Sequence, residues 1–305
     1  MAKTRNLFFT ALFGASCAAS FFLGDDAYRK LIKANRDNTD ASFPEPDAKE
    51  GATEILLEAI DFTNLYAVLY APETNVSNAH DYVIVLPDAR HAGSQVTKLV
   101  AHYRRAGMHV LVVHPRGCGK SGGRYIGYGY DDRLDVISWI HRLLRQDAKA
   151  KIALHGLGSG AASAILAGAE HLPASVYAIV SDSCFTTLSA YLERQLTFVY
   201  PGMLPAKIRL LLLRMVTLVR AGYDLREVAP EKSVEKMNVP TLFLHGDADK
   251  QMPVDMCRAL YHRAGCTRQI GVFLGAGHLE GMNLSEERYF GQTDAFLSRQ
   301  HPDRM

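Results

Sequence analysis

The feature that most constrains the fold is a repeated alternation of short apolar runs with longer helical patterns. Val83–Leu86 and Val110–Val113 are wholly apolar, as strands buried on both faces of a sheet are, and Val96–Ala106 between them has helical spacing. Strand–helix–strand order predicts a mostly parallel sheet covered by helices on both faces. The other predicted strands are Ile152–Leu154, Tyr177–Val180, Thr241–Leu244 and Gly271–Leu274, and the other predicted helices are Asp131–Leu144, Ala161–Ala169 and Tyr289–Ser298.

Two segments fall outside this alternation. Ile55–Ile60 and Tyr66–Tyr70 read as paired strands that precede it, so the α/β domain is expected to span residues 51–305. Residues 187–234 contain no clear strand and include the leucine-rich run Ile208–Val219. We interpret this segment as helices inserted above the sheet as a cap, with burial of the run in the core as the alternative.

The N-terminus predicts a membrane segment. Lys3 and Arg5 precede an apolar run, Leu7–Leu23, which ends at Asp25 and Asp26. A spanning helix needs roughly 17–25 residues, so the run lies between an anchor and a signal peptide. We expect residues 1–24 to form a single anchor in the cell membrane, with the domain outside the cytoplasm.

Two alternatives to an anchor stay open. Ala18 and Ser20 suit a cleavage site, which would make the protein secreted. A buried N-terminal helix is the other possibility. Residues 25–50 are expected to form a helix followed by a polar linker that contains Pro44 and Pro46.

Composition limits the functional classes. The 34 Lys and Arg residues nearly balance the 32 Asp and Glu residues, and basic stripes with interleaved aromatics are absent from the sequence, which argues against nucleic-acid binding. His, Cys, Asp and Glu residues do not recur at metal-ligand spacing, and the glycines of residues 156–160 lack the ending of a phosphate loop, so no metal or other cofactor is expected. The five cysteines are expected to be free thiols, although a Cys257–Cys266 disulfide stays open.

Three predicted strand ends carry the residues that suggest chemistry. Ile152–Leu154 continues as His155-Gly156-Leu157-Gly158-Ser159-Gly160 into a small-residue helix, which is the strand–turn–helix context of a nucleophile elbow. Asp249 follows one late strand and His278 follows the next. An acid and then a histidine in this order suit a relay in which the histidine takes a proton from a nucleophile and the acid orients it.

The chain resembles the α/β-hydrolase superfamily, in the branch of serine aminopeptidases and monoglyceride lipases, and in particular the N-terminally anchored bacterial surface hydrolases. The matching segments include His114-Pro115-Arg116-Gly117-Cys118-Gly119-Lys120-Ser121 and Gly129-Tyr130-Asp131-Asp132-Arg133-Leu134-Asp135. The resemblance implies the α/β-hydrolase fold, with Asp249 as catalytic acid and His278 as catalytic base.

The sequence departs from that family at the nucleophile. The family elbow reads Gly-x-Ser-x-Gly, and its alignment on Gly156 and Gly160 puts Gly158 at the nucleophile position, which leaves that position vacant. Ser159 then falls where a backbone N–H serves the oxyanion hole. A one-residue shift would make Ser159 the nucleophile, but it would place Leu157 where a small residue is needed.

The loop after Val83–Leu86, which is expected to supply the other oxyanion donor, also differs from the family pattern. It has Pro87-Asp88 where the family has His-Gly. A carboxylate from Asp88 would oppose a developing oxyanion. The favoured hypothesis is therefore a catalytically impaired hydrolase that acts as a binding domain at the membrane, with a small molecule, lipid or peptide under the cap. The alternative is an active esterase, lipase or peptidase that uses Ser159 with His278 and Asp249.

Overall fold

A computed structural model describes residues 20–34, 51–73, 80–90, 93–202 and 204–303. Within them lies one eight-stranded sheet of order β1-β2-β4-β3-β5-β6-β7-β8. The strands are β1 (Ala52–Glu58), β2 (Asn64–Tyr70), β3 (Asp81–Leu86), β4 (His109–Val113), β5 (Lys151–Leu157), β6 (Val176–Asp182), β7 (Thr241–Gly246) and β8 (Arg268–Phe273). The helices are α1 (residues 20–31), α2 (Gly93–Arg105), α3 (Asp132–Gln146), α4 (Ser159–Gly168), α5 (Leu188–Val199), α6 (Ala206–Arg220), α7 (Pro230–Ser233), α8 (Val254–Arg263), α9 (Gly281–Leu284) and α10 (Glu286–Gln300).

The predicted α/β class is confirmed. Strands β1 and β2 pair antiparallel, and β2 pairs antiparallel with β4. All other neighbouring strands run parallel. Strands β3, β6 and β7 are buried along their whole length, which explains their continuous apolar runs, because helices cover both faces of the sheet.

The core forms one layer on each face of the sheet. Trp139 of α3, Ile165 of α4 and Leu260 of α8 belong to one layer. Leu99 of α2 and Phe296 of α10 belong to the other. The sheet is thereby held rigid in the middle, and the loops at the carboxyl ends of its parallel strands start from fixed points.

The region between β6 and β7 contains α5, α6 and α7, with short 3-10 turns at Leu225–Glu227 and Val234–Lys236. The sequence left open whether the leucine-rich run Ile208–Val219 lies in a cap or in the core. It forms helix α6, which has one buried face and one exposed face. Leu213 and Val216 are buried, whereas Leu211 and Met215 are exposed.

Residues 20–31 form helix α1, which packs into the domain through Tyr28 and Leu31. Asp25 and Asp26 interrupt the apolar run but not the helix, because each carboxylate is paired: Asp25 with Arg220 at 2.7 Å and Asp26 with Lys30 at 2.8 Å. Most of the predicted anchor and the predicted linker lie outside the described residues. Over the part of the chain that is described, no helix is both long enough and apolar enough to span a membrane.

Cys118, Cys184, Cys257 and Cys266 are free and buried. The disulfide left open between Cys257 and Cys266 is therefore not formed in this structure. Burial raises the pKa of the Cys257 thiol to about 12, so this group stays protonated at neutral pH.

Candidate functional site

The candidate site lies at the carboxyl edge of the sheet, where the loops after β3, β5, β7 and β8 meet. These loops carry Asp88, Gly158, Asp249 and His278. They come together because the four strands run parallel in one sheet, so their carboxyl ends share an edge although they are far apart in the sequence.

The turn from β5 into α4 is tight and depends on glycine. A Cβ added at Gly156 would lie 2.5 Å from Ala161 Cα, and one added at Gly160 would overlap the Leu86 carbonyl oxygen. Gly158 between them has φ 54° and ψ −113°, in the left-handed half of φ that side chains rarely adopt. The residues that must be small are thus two before and two after Gly158, which is the register of an elbow centred on that residue.

The Asp88 carboxylate fills the space in front of Gly158. A Cβ on Gly158 would overlap Asp88 Oδ2, and the same oxygen accepts a hydrogen bond from the Ser159 backbone N–H at 2.8 Å. Asp88 Oδ1 accepts a second bond from Arg90 N–H, also at 2.8 Å, and the side chain is buried. The Asp88 carboxylate therefore occupies the space that a side chain at position 158 would need. It also accepts the hydrogen bond of the Ser159 amide, the group that would bind an oxyanion.

The Ser159 hydroxyl is directed to the loop after β3. Ser159 Oγ accepts a hydrogen bond from the Ala89 backbone N–H at 2.9 Å, and Ser159 O accepts one from the Ser163 hydroxyl at 3.1 Å. Ser159 also lines a cavity of about 20 Å³ with Trp139 of α3, about the space of a single water molecule. Its side chain holds the loop and the start of α4 together.

Asp249 and His278 form the acid–histidine pair that their order in the sequence suggests. His278 Nδ1 donates to Asp249 Oδ2 at 2.8 Å, and both side chains are buried. Asp249 Oδ1 accepts from the backbone N–H groups of Gln251 and Met252, each at 2.8 Å. The carboxylate is thus held in one orientation by its own loop and fixes the tautomer of the imidazole.

The charges around His278 favour its protonated form. Burial lowers the His278 pKa, but the hydrogen bond that His278 donates to Asp249 and the negative charges of Asp88, Asp249 and Asp182 raise it, and the net effect is a raised pKa. His245, whose Nε2 lies 3.5 Å from the same Asp249 oxygen, differs: burial lowers its pKa, and its Nε2 donates to the Met252 carbonyl oxygen at 2.6 Å.

This difference predicts opposite pH dependences for the two histidines. Because the folded pKa of His278 is above the unfolded value, its protonation contributes stability below pH about 6.5 that is lost as the pH rises through the folded pKa. The destabilisation caused by His278→Gln should therefore shrink as the pH rises from about 6.5, the ordinary histidine pKa, to about 9.

His245→Gln is the matched control. The lowered pKa of His245 means that the wild type loses stability as the pH falls below about 6.5, and this variant removes that loss. Urea unfolding at several pH values measures both free energies. A His278→Gln difference that does not change with pH would contradict the charged environment described for His278.

A buried hydrogen-bond chain that the sequence did not predict joins α2, β5, α10 and β6. The Tyr103 hydroxyl donates to His155 Nδ1 at 2.8 Å, His155 Nε2 donates to the Tyr289 oxygen at 3.0 Å, and the Tyr289 hydroxyl donates to Asp182 Oδ2 at 2.8 Å. Burial lowers the His155 pKa to about 3, so the ring stays neutral and this order of donors is fixed. The members come from four separate elements, and sequence spacing carries no signal for such a set.

Strained backbone marks the same region. Ser183 and Leu279 both have φ 57°, and the Leu279 N–H donates to the Ser183 hydroxyl at 3.4 Å. Ser183 in turn donates to Asp182 Oδ1 at 2.8 Å. Strain of this kind persists only where surrounding contacts determine the conformation, and in this protein it lies next to His278.

The chemistry available to this arrangement is limited. The Asp249–His278 pair can hold a proton, Gly158 carries no side chain, and the neighbouring Ser159 amide is engaged by Asp88. In the described ranges there is no cluster of three His, Cys, Asp or Glu side chains placed to hold a metal.

The chain is similar to two curated proteins over part of its length. It is 26% identical over 194 residues to the uncharacterized protein YqkD of Bacillus subtilis (strain 168), covering 63% of this chain and 62% of that protein. It is 29% identical over 178 residues to protein ABHD12B of Homo sapiens, covering 57% of this chain and 46% of that protein. The chain thus spans less than two thirds of either relative, and no protein-family model matches it.

Solved structures share the fold over most of the chain. The esterase Pf2001 of Pyrococcus furiosus superposes with a TM-score of 0.70 at 19% identity, covering 88% of this chain and 99% of that one. The acylaminoacyl peptidase of Pyrococcus horikoshii superposes with a TM-score of 0.61 at 18% identity, covering 82% of this chain and 41% of that one.

Proposed function

We propose that this chain, which has the α/β-hydrolase fold, lacks serine-hydrolase activity and acts as a binding domain held at a membrane by its N-terminal segment. The observation that carries the proposal is the position of Asp88. Its carboxylate lies against Gly158 and accepts the Ser159 N–H at 2.8 Å. A serine hydrolase needs a nucleophile at the first position and a free donor at the second.

Two residues from different loops, Gly158 and Asp88, both support the proposed loss of hydrolase activity. An isolated replacement of the nucleophile would leave an empty space beside a working oxyanion hole. Here a second residue from another loop fills that space and makes two backbone hydrogen bonds of its own, to Ser159 and Arg90. The retained Asp249–His278 pair is then a buried ion-pairing element that also ties the loops after β7 and β8 together.

The ligand is proposed to bind under the cap insertion. A cavity of about 280 Å³ lies between Tyr130 and Arg133 of the α3 region, Leu166 of α4, and residues 227–236 of the insertion. This volume is near the lower end of small-molecule sites, which are about 300–1,000 Å³. Native mass spectrometry of the purified full chain tests the proposal, since a bound small molecule, lipid or peptide should be lost from the Leu166→Arg variant.

Membrane attachment is proposed from the sequence. Basic residues flank the run Leu7–Leu23 on both sides, so the flanking charge does not decide the orientation. The run favours an anchor, and we place the domain outside the cytoplasm, with secretion after cleavage as the alternative. The mass of the mature N-terminus distinguishes the two outcomes.

The competing function is a serine hydrolase that uses Ser159, and the retained Asp249–His278 pair is the observation in its favour. It would require the Ser159 hydroxyl to leave its bond to Ala89 N–H and turn to His278. A fluorophosphonate probe separates the two functions. We expect the folded wild-type protein to remain unlabelled, and labelling that disappears in Ser159→Ala would overturn the proposal.

A further inference from the structure

The cap helix α6 has an apolar face that is exposed in the part of the chain that the structure describes. Ile208, Leu211, Met215 and Leu218 are spaced three or four residues apart, so they share one side of the helix. All four are exposed, and Met215 has 59% of its surface accessible. A surface helix normally directs such a stripe to the core, and a contiguous apolar stripe turned outward marks an interaction site.

The start of α1 extends this face. Phe21 and Phe22 are exposed. The two helices approach closely at Gly24, where a Cβ would lie 2.7 Å from the Leu212 carbonyl oxygen. Phe21 lies beside α6, because the Arg220 guanidinium is 6.0 Å from the Phe21 ring centroid and also pairs with Asp25 at 2.7 Å. We call Phe21, Ile208, Leu211, Met215 and Leu218 together the α1–α6 face.

The charges near the α1–α6 face favour a particular occupant. The sequence of α6 contains Lys207, Arg209, Arg214 and Arg220 and no acidic residue. Two of these basic residues, Arg220 and Arg214, form ion pairs with the neighbouring acids Asp25 and Asp224, so the four positive charges of α6 exceed these two negative charges by two. An amphipathic helix with an apolar face and basic flanks is suited to the interface of a bilayer that contains anionic lipids.

The path of the chain points to the same occupant. Phe21 is one of the last residues of the apolar run Leu7–Leu23 and also belongs to the α1–α6 face. The proposed anchor therefore joins the domain at this face. An anchor that enters a bilayer there brings the face to the lipid surface with no linker between them.

We propose that the α1–α6 face docks the folded domain on an anionic lipid surface, with the side chains of α6 immersed beside the anchor. This proposal rests on the membrane attachment of the proposed function and adds a second contact. It fixes the orientation of the domain, with the cap helix α6 toward the lipid.

The test uses the full chain with Cys17→Ser, reconstituted in vesicles of phosphatidylcholine and phosphatidylglycerol. An environment-sensitive fluorophore is attached after Met215→Cys, and in a matched control after Leu274→Cys, another exposed apolar position. Nitroxides are carried on the acyl chains near the headgroups, since interfacial helices sit about 5–10 Å into that boundary. We expect blue-shifted, quenched emission at position 215 and neither change at position 274.

A second substitution checks the chemistry of the contact. Leu211→Glu combined with the labelled Met215→Cys variant should abolish the quenching, whereas Leu284→Glu, at an exposed residue of α9, should leave it intact. Vesicle flotation with no quenching at position 215 would overturn docking while leaving anchoring by the N-terminal run in place. Energy transfer between labels on different copies without vesicles would assign the face to self-association and also overturn the proposal. Neither readout depends on hydrolase activity, so the proposed loss of catalysis is judged separately.

Discussion

The double variant Gly158→Ser, Asp88→Gly is expected to react with a fluorophosphonate, whereas the wild type and each single variant are not. Gly158→Ser alone adds a side chain that overlaps the Asp88 carboxylate. Asp88→Gly alone frees the Ser159 N–H but supplies no nucleophile. Only the combination places a hydroxyl beside a free oxyanion donor, within the same loop cluster as the Asp249–His278 pair.

The expected activity of the double variant is modest. One missing or misplaced oxyanion donor typically reduces kcat by about 10²–10³, and the loop after β3 still has Pro87 where the family has histidine. Gel fluorescence after probe treatment, with the labelled peptide located by mass spectrometry, is the measurement. Adding Ser159→Ala should leave the labelling intact, because the introduced serine and not Ser159 reacts.

Two results would contradict this account of the site. Labelling of Gly158→Ser alone would mean that Asp88 does not block the position. A double variant that is folded by circular dichroism but unlabelled would mean that the Asp249–His278 pair is not in working order.

The second large effect is expected from a single methyl group at Gly160. A Cβ at Gly160 would overlap the Leu86 carbonyl oxygen and lie 2.7 Å from that of Pro87, both of which are backbone atoms that cannot rotate away. We expect Gly160→Ala to lower the free energy of unfolding by about 3 kcal/mol, as overpacking of a tight site does. Urea unfolding monitored by circular dichroism measures the change.

Gly291→Ala is the matched control because Gly291 also lies in a helix, α10, with nothing within 4 Å of its added Cβ. Alanine there should stabilise the protein by about 0.5–1 kcal/mol, since glycine is unfavourable in a helix interior. Equal effects of the two substitutions would show that α4 is not packed as closely against the β3 loop as the structure describes.

The fold was largely predictable from the sequence, because a strand buried on both faces leaves a local signal. Val83–Leu86 and Thr241–Leu244 are continuous apolar runs and are buried strands in the structure. The last predicted strand was misplaced toward the C-terminus. It is Arg268–Phe273, and its partly exposed residues explain the weaker pattern, since β8 lies at the edge of the sheet.

The candidate site was predictable in part. Gly158, Asp249 and His278 stand at motif positions that can be read from spacing, and Asp88 stood out as a departure in a loop. The chain from Tyr103 to Asp182 through His155 and Tyr289 was not predictable, because it joins four elements whose separation in the sequence has no regularity.

The sequence by itself determined the class of fold and the missing side chain at Gly158, since both depend on residue identity and local periodicity. Only the tertiary structure decided what occupies that place. Asp88 and Ser159 are 71 residues apart in the chain, and their 2.8 Å hydrogen bond exists because β3 and β5 are parallel neighbours that end at the same edge. The same holds for α6, whose apolar residues became core or surface according to which side α5 and α1 left uncovered.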